Sequence, residues 1–513
     1  MSESINRRDF LKFSSVFPFL AGNWSSILEK GAGFSSDPSS PNILVILFDA
    51  LSAKNVSLYG YGRPTTPNLE RIAARSIVYH NHYSTANFTT PGTASLLTGT
   101  YPWQHRAIHF YGTVEKSVAE KNLFQAFANS GYTRLAYSHN LLVTYLLYQF
   151  YKDIEIFKWP RALSLADFQI SDRLFPRDYN AAITSEMMMG SIDTSSSGSL
   201  ILSLISRWMM GEKNRDLKRE LKEIYPEGIS EQNGHFYILE PAIDWIMDQV
   251  GKLQQPYLAY IHLLPPHEPY VPRYDFAGLF TDNWKPLRKP KGHFTQGYSQ
   301  QDLNHFRRSY DEFILNVDAE FGRLFDFLDR NGILDNTCVI LTTDHGELFE
   351  RGIKAHSTPA LYQPLVQIPL MMMCPGQMTR EDVYLNTSSI DILPTLLHLA
   401  GLEIPEWVQG QILPPFGVTS GDNSRPLFCM EAKTNPKLAP LQKGSFAVIK
   451  GDYKLMHYRG YDLKKDPPDY EMFNLAEDPE ELTDIHSSQK AIASELKDIL
   501  HASLEQADQM YAL

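Results

Sequence analysis

The sequence predicts an α/β protein, with a large, mostly parallel sheet sandwiched by helices and a smaller C-terminal α+β domain. Three observations carry this. Continuous apolar, β-rich runs recur along the chain, the first being Asn42-Ile43-Leu44-Val45-Ile46-Leu47-Phe48. A strand that is apolar on both faces is one covered by helices on both sides. Helical stretches such as Phe306 to Arg330 separate the runs, and this alternation is the pattern of crossover-connected parallel strands. At 513 residues, the chain exceeds one ordinary core, so a second, smaller domain is expected.

The first strand ends at Asp49, and a polar residue at the carboxyl end of a parallel strand sits where open α/β sheets bind their ligands. A helix is expected from Asn68 to Ser76, after Pro67. A loop, Ser84 to Thr93, then leads into a short helix, Ala94 to Thr98, stopped by Gly99. Arg134 to Tyr137, Tyr257 to Leu264, Cys338 to Thr342 and Leu370 to Cys374 read as further strands. Ile390 to Ala400 is the last helix of the large domain, closed by Gly401 and Pro405. Beyond it, Phe446 to Lys450 and Tyr453 to Met456 flank Gly451-Asp452 as a hairpin.

These elements divide the chain into a leader and linker (1–40), a large domain (41–405) and a small one (406–513). Residues 158–234 show no clear strand pattern and read as a variable insertion or cap. Inside them Leu200 to Met210 is apolar but interrupted by Arg207, and too short to span a bilayer. A core helix or cap is the plainer reading of that stretch, and a membrane-touching patch is the other.

Net charge is −12, which argues against nucleic acid as the main partner, because a phosphate backbone demands a basic surface. Anionic small molecules stay open, since a buried cation can dominate the local field. The three cysteines, Cys338, Cys374 and Cys429, lack CxxC spacing and form no disulfide framework; they read as structural thiols. At the start, Asn6-Arg7-Arg8-Asp9-Phe10-Leu11-Lys12 resembles a twin-arginine export signal, followed by a modestly apolar stretch, Phe13 to Leu28. The expectation is an extracytoplasmic, periplasmic location, with removal or retention of the leader left open.

The chemistry-bearing groups fall at three places. Asp49 ends the first strand, Asp344-His345-Gly346 follows the strand Val339 to Thr342, and Thr89-Thr90-Pro91-Gly92 enters a helix. Two carboxylates and an imidazole at one edge of a parallel sheet suit a single divalent ion. A hydroxyl at a helix N-terminus beside that ion gains nucleophilicity from both. His105 and His139, with Asn140, are further candidates to line such a pocket.

These residues also carry a family resemblance. Thr89 to Gly99 resembles the sulfatase signature, a Cys or Ser followed by x-Pro-Ser-Arg and a Leu-x-Thr-Gly tail. Other matches follow in order: Pro41-Asn42 before the first strand, Tyr101-Pro102, Pro266-His267-Glu268-Pro269-Tyr270, Asp344-His345-Gly346-Glu347, Asp391-Ile392-Leu393-Pro394-Thr395, and Phe473-Asn474-Leu475 with Asp478-Pro479-Glu480. The resemblance, to the sulfatases of the alkaline-phosphatase superfamily, implies a metal-dependent ester hydrolase. It implies Asp49, Asp344, His345 and Thr89 as metal ligands, Thr89 also as nucleophile, and His267 on the bound ester. It puts His356 or Lys354 over the substrate, His356 being favoured, with a possible part in a second metal site. One ion is the simpler expectation because His262-Leu263-Leu264-Pro265-Pro266-His267 lacks the Asp that two-metal relatives place before that histidine. His345 favours Mn or Zn over Ca or Mg.

The departures shape the expected reaction. Family sulfatases carry Cys or Ser at the Thr89 position, to be oxidised to formylglycine, and an Arg where Thr93 stands. Threonine there instead resembles the nucleotide phosphodiesterases and the glycerol-phosphate and phosphoethanolamine transferases of the superfamily. The expectation is therefore in-line displacement by Thr89 on a phosphate or phosphodiester in preference to a sulfate, with water resolving a covalent intermediate. The ester is expected on a small molecule, glycan or lipid. An envelope phosphotransferase and a degenerate anion-binding relative are the alternatives.

Overall fold

The computed structural model describes residues 40–167, 208, 211–212, 215–232, 235–417, 423–463 and 469–511. The stretch that resembles an export signal and most of the 158–234 insertion, with Leu200 to Met210, lie outside them. The flanks of that insertion contribute three short strands, Ala166–Asp167, Ser230–Gln232 and His235–Tyr237, joined as one small sheet. Strands of two or three residues are too short to show a period in sequence.

The main sheet has eight strands, labelled here in chain order: β1 (Asn42–Phe48), β2 (Ile77–Tyr79), β3 (Thr133–Ser138), β4 (Ile156–Lys158), β5 (Tyr257–Leu263), β6 (Thr337–Thr342), β7 (Leu370–Met373) and β8 (Glu381–Val383). Their spatial order is β8-β2-β7-β6-β1-β5-β3-β4. β1 pairs in parallel with both β6 and β5, so the strand ends at Asp49, His262 and Asp344 emerge side by side. Only β7 runs against its neighbours, antiparallel to β6 and β2. The sheet is thus mixed but mostly parallel, as its apolar runs predict.

All seven residues of β1 are buried, and alternate side chains feed two separate cores. Leu44, Ile46 and Phe48 pack with Phe313, Phe321 and Leu324 of the long helix Gln300–Arg330. Ile43, Val45 and Leu47 pack on the opposite face with Leu96, Leu97, Val143 and Leu396. Those residues belong to the helices Thr89–Thr98, Leu141–Gln149 and Ile392–Leu399. Each such side chain contributes about 1.5–3 kcal/mol by leaving water. The long helix begins six residues before the predicted Phe306, because Ser299 and Asp302 form a reciprocal capping box.

The cysteine expectation needs correcting. Cys338 and Cys374 are joined in a disulfide, and only Cys429 is free and buried. Antiparallel pairing sets Val339 opposite Met373, which puts the next residues outward, 338 and 374, opposite one another. Nothing in two separate apolar runs signals that pairing.

A second sheet forms an antiparallel meander: β9 (Leu427–Glu431), β10 (Gly444–Lys450), β11 (Tyr453–Arg459) and β12 (Tyr470–Asn474). The predicted hairpin at Gly451-Asp452 is its centre. One face packs on the helix Lys490–Gln509 through Phe446, Val448, Leu455, Leu496 and Leu500. The other packs Ala447, Ile449, Met456 and Phe473 against Leu348, Leu361, Tyr362 and Leu365, the stretch following Asp344-His345. The small sheet therefore backs the site.

A buried ion pair latches it there. Lys454 and Glu481, both fully buried, meet at 2.7 Å, and Glu481 also accepts from Gln363 N at 2.8 Å. Replacing Lys454 with Met leaves a buried, uncompensated carboxylate, so we expect a loss of about 3–5 kcal/mol in chemical denaturation. An unchanged midpoint would show that this pair does not hold the sheet.

Candidate active site

Asp49 follows β1 on a strained turn. Ala50 sits at φ 60°, a left-handed conformation that costs a residue with a Cβ roughly 1–2 kcal/mol. Two neighbours hold it: Ala50 N donates to Asp344 Oδ1 at 3.4 Å, and the Tyr310 hydroxyl donates to Ala50 O at 2.5 Å. Asp344 follows β6 and is fixed by His345 N at 3.0 Å and the Thr343 hydroxyl at 3.2 Å.

Thr89 is the first residue of its helix, with Phe88 as N-cap. The sequence reading placed Thr89 to Gly92 in a loop. Helix forms there because Pro91 falls in the first turn, where its missing N–H is harmless. Gly92 is required by packing: a Cβ there would lie 2.5 Å from Asp344 O. Likewise a Cβ on Gly346 would lie 2.0 Å from Pro364 O. Gly92→Ala should push the Thr89 helix off the Asp344 loop, costing about 1–3 kcal/mol and most of any turnover. Wild-type melting and turnover in that variant would refute the close-approach argument.

Asp49, Asp344 and His345, all buried, each offer a ligand atom within 4.8 Å of the others. His345 Nε2 lies 3.5 Å from Asp49 Oδ1 and 3.7 Å from Asp344 Oδ2. Those two oxygens are buried without any hydrogen-bond partner. His345 Nδ1–H donates to Gly346 O at 2.9 Å, which leaves the Nε2 lone pair facing the carboxylates. Burial, the largest influence, holds the His345 pKa below its ordinary value despite Asp344 and Asp49, so the ring is neutral. The Thr89 hydroxyl donates to that same Nε2 at 3.2 Å. Two orphaned carboxylate oxygens, one imidazole nitrogen and one hydroxyl converge on one point. Buried carboxylates left so close without a cation are costly, and a donor set of carboxylates with an imidazole suits Mn or Zn.

Behind Asp49 stand His262, which strand reading did not assign, and Asn140, one of the residues expected to line the pocket. His262 Nε2–H donates to Asp49 Oδ2 at 3.1 Å, and Asn140 Nδ2 donates to the same oxygen. Burial pushes the Asp49 carboxyl up, but the His262 hydrogen bond and the neighbouring imidazoles of His267 and His262 outweigh it and hold it well below the usual range. His262 is a polar residue inside a fully buried strand, and that contrast was the available signal. Asn140 also caps the following helix, accepting from Leu142 N at 2.8 Å.

The predicted upper residues divide. The His356 ring lies tilted against His345 with ring centroids 4.4 Å apart, and His267 lies 4.9 Å from His356. His356 Nδ1 donates to Glu347 Oε1 at 2.9 Å, and Tyr270 donates to the other Glu347 oxygen at 2.9 Å. Burial disfavours the His356 cation, but Glu347 overrides it and its pKa is raised to about 9. His267 Nδ1 donates to Glu268 O at 2.7 Å. Lys354 stands at the edge of this cluster: its ammonium pairs with Glu268 at 2.7 Å and lies 5.8 Å from the Tyr270 ring. His105 is turned to Ser95, 3.0 Å away. His139 packs at a tilt on Tyr237, ring centroids 4.5 Å apart, and accepts from Leu264 N; its contribution here is to precede Asn140.

Other sequence matches prove to be scaffold. Asp391 accepts Arg425 at 2.8 and 2.9 Å and caps its own turn. Glu480 pairs with Lys54 and Lys289.

Comparison with known proteins places this arrangement. Residues 41–402 match the sulfatase family, and residues 357–509 match the C-terminal region of N-sulphoglucosamine sulphohydrolase. A choline-sulfatase from Rhizobium meliloti (strain 1021) is 24% identical over 470 residues, covering 86% of this chain and 83% of its own. The solved phosphonate monoester hydrolase of Agrobacterium radiobacter superposes with TM-score 0.64 at 18% identity, over 92% of this chain and 96% of that one. A protein solved with its substrate D-glucosamine-2-N,6-O-disulfate gives TM-score 0.62 at 17% identity, over 92% and 98%. At such identities the two structural likenesses establish the fold alone.

Proposed function

The chain belongs to the sulfatase family and is a sulfatase-type hydrolase, and within that frame we propose that Thr89 is its nucleophile and a phosphate ester or phosphodiester its substrate. The carrying observation is the Thr89 hydroxyl at 3.2 Å from His345 Nε2, beside the orphaned oxygens of Asp49 and Asp344. A threonine has no route to the aldehyde hydrate on which family sulfatases rely, so this chain attacks with the hydroxyl itself.

Asp49, Asp344, His345 and Thr89 would hold one divalent ion, which would supply charge neutralisation on a non-bridging oxygen of the ester. The remaining work belongs to side chains. Thr89 Oγ1 gives up its proton to solvent and forms the bond to phosphorus as the ester oxygen leaves in line. His356, held protonated by Glu347, donates to the developing charge on the ester or leaving oxygen, with His267 beside it. Asn140 and His262 keep the Asp49 carboxylate oriented. Water then attacks the phosphothreonine.

The reading is tested by assaying metal-analysed protein on aryl phosphate, phosphodiester, phosphonate monoester and sulfate ester. Turnover should be fastest on one of the phosphate substrates. Fastest turnover of the sulfate ester would contradict the inference drawn from threonine.

A further inference from the structure

The segment from Trp284 to Tyr298 contains Lys285, Arg288, Lys289 and Lys291 and no aspartate or glutamate, in a chain of net charge −12. It has no regular secondary structure. Its inner side is tied down. Arg63 packs on the Trp284 ring at 4.7 Å, and Lys289 is buried between Glu350 at 2.9 Å and Glu480 at 2.7 Å. Gln296 N donates to Gly352 O at 2.9 Å, and the Gln296 side chain accepts from Lys354 N at 3.1 Å. The loop therefore borders the turn from Gly352 to Lys354, which runs into His356.

The outer side is different. Lys285, Arg288 and Lys291 are exposed, and none forms an ion pair among the described residues. Leu287, in their midst, is 57% exposed, and Tyr298 is 39% exposed. Tyr274 and Leu279, at 61% and 56%, lie on the stretch just before. That stretch runs back along the long helix: Arg273 N bonds Asn316, Phe280 N bonds Glu312, and the Tyr298 ring meets Phe306. Exposed apolar side chains and unneutralised cations thus occur together along this stretch of chain.

A lone exposed leucine needs no explanation. An exposed leucine between Pro286 and Pro290, with three free cations within four residues of it in the chain, matches what an anionic bilayer surface recognises: charges for the headgroups and an apolar tip for the interfacial layer. A soluble anion would be served by the cations alone. We propose that the Trp284–Tyr298 loop docks this protein on an anionic lipid surface. Docking does not depend on the proposed reaction; only its consequence, access to esters presented at a bilayer, does.

The test is co-sedimentation of the full chain with vesicles of phosphatidylcholine and phosphatidylglycerol, against phosphatidylcholine alone. Binding should require the anionic lipid and weaken with salt. Lys285→Glu/Arg288→Glu/Lys291→Glu should lose at least about 100-fold in partitioning. Leu287→Ser should lose roughly tenfold while keeping the salt dependence. Residues 1–39 are present in every variant, so their contribution cancels in the comparison. Melting temperature serves as the fold control, and turnover of a soluble aryl ester should be unchanged in all variants. The proposal is overturned by absent wild-type binding, or by binding that the triple variant retains. It is equally overturned if the triple variant loses affinity for heparin but not for anionic vesicles, because the loop then reads a soluble polyanion. Failure of wild-type aryl ester turnover would count against the Thr89 reading alone, since vesicle binding needs no turnover.

Discussion

Thr89→Ala should abolish ester turnover, with kcat/KM falling at least about 10³-fold, or ~4 kcal/mol of barrier. Thr89 Oγ1 is the hydroxyl bonded to His345, at the N-terminus of a helix whose dipole favours developing negative charge. Alanine keeps the helix, whose N-cap is Phe88 with no side-chain hydrogen bond. The fold should therefore survive, and melting should move by no more than about 1–2 kcal/mol, because one buried hydroxyl and a methyl are lost. Single-turnover kinetics with a denaturation control would check both halves. A variant that folds and still turns over would assign the nucleophile elsewhere.

The second large effect concerns Asp344→Asn. Asp344 Oδ2 is buried with no hydrogen-bond partner, so its charge is committed to whatever cation the site holds. Removing that charge while keeping the shape should lower metal affinity by at least about 100-fold, since even residues that merely support a ligand typically cost 10–100-fold. Turnover should fall with it and recover partly as metal concentration is raised. Metal titration followed by calorimetry reads affinity directly, and chelator treatment of the wild type should reproduce the loss. Equal metal content in wild type and variant would mean that Asp344 is no ligand.

The parts of the site legible in sequence were those at strand ends. β1 announces itself as seven consecutive buried residues, so Asp49 falls at its edge by inspection, and Asp344 follows β6 in the same way. His262 escaped because it lies within a strand and its partner, Asp49, is 213 residues away in sequence. Glu347 was visible only as a motif position; its hold on His356 depends on the turn from Glu350 to Lys354 folding back. The helix starting at Thr89 was read as loop because Pro and Gly are poor helix formers on average. Packing against Asp344 overrides that preference. The Cys338–Cys374 bond required the direction of β7, which no local pattern encodes.

The central claim, covalent attack by Thr89, is tested most directly by acid-quenching the wild-type enzyme during turnover and measuring the mass of the peptide that contains Thr89. The account predicts that this peptide gains one phosphoryl group, or one sulfuryl group with a sulfate ester, and that fragmentation places it on Thr89. Turnover with the Thr89 peptide unmodified at every quench time, or with the adduct on another residue, would contradict it.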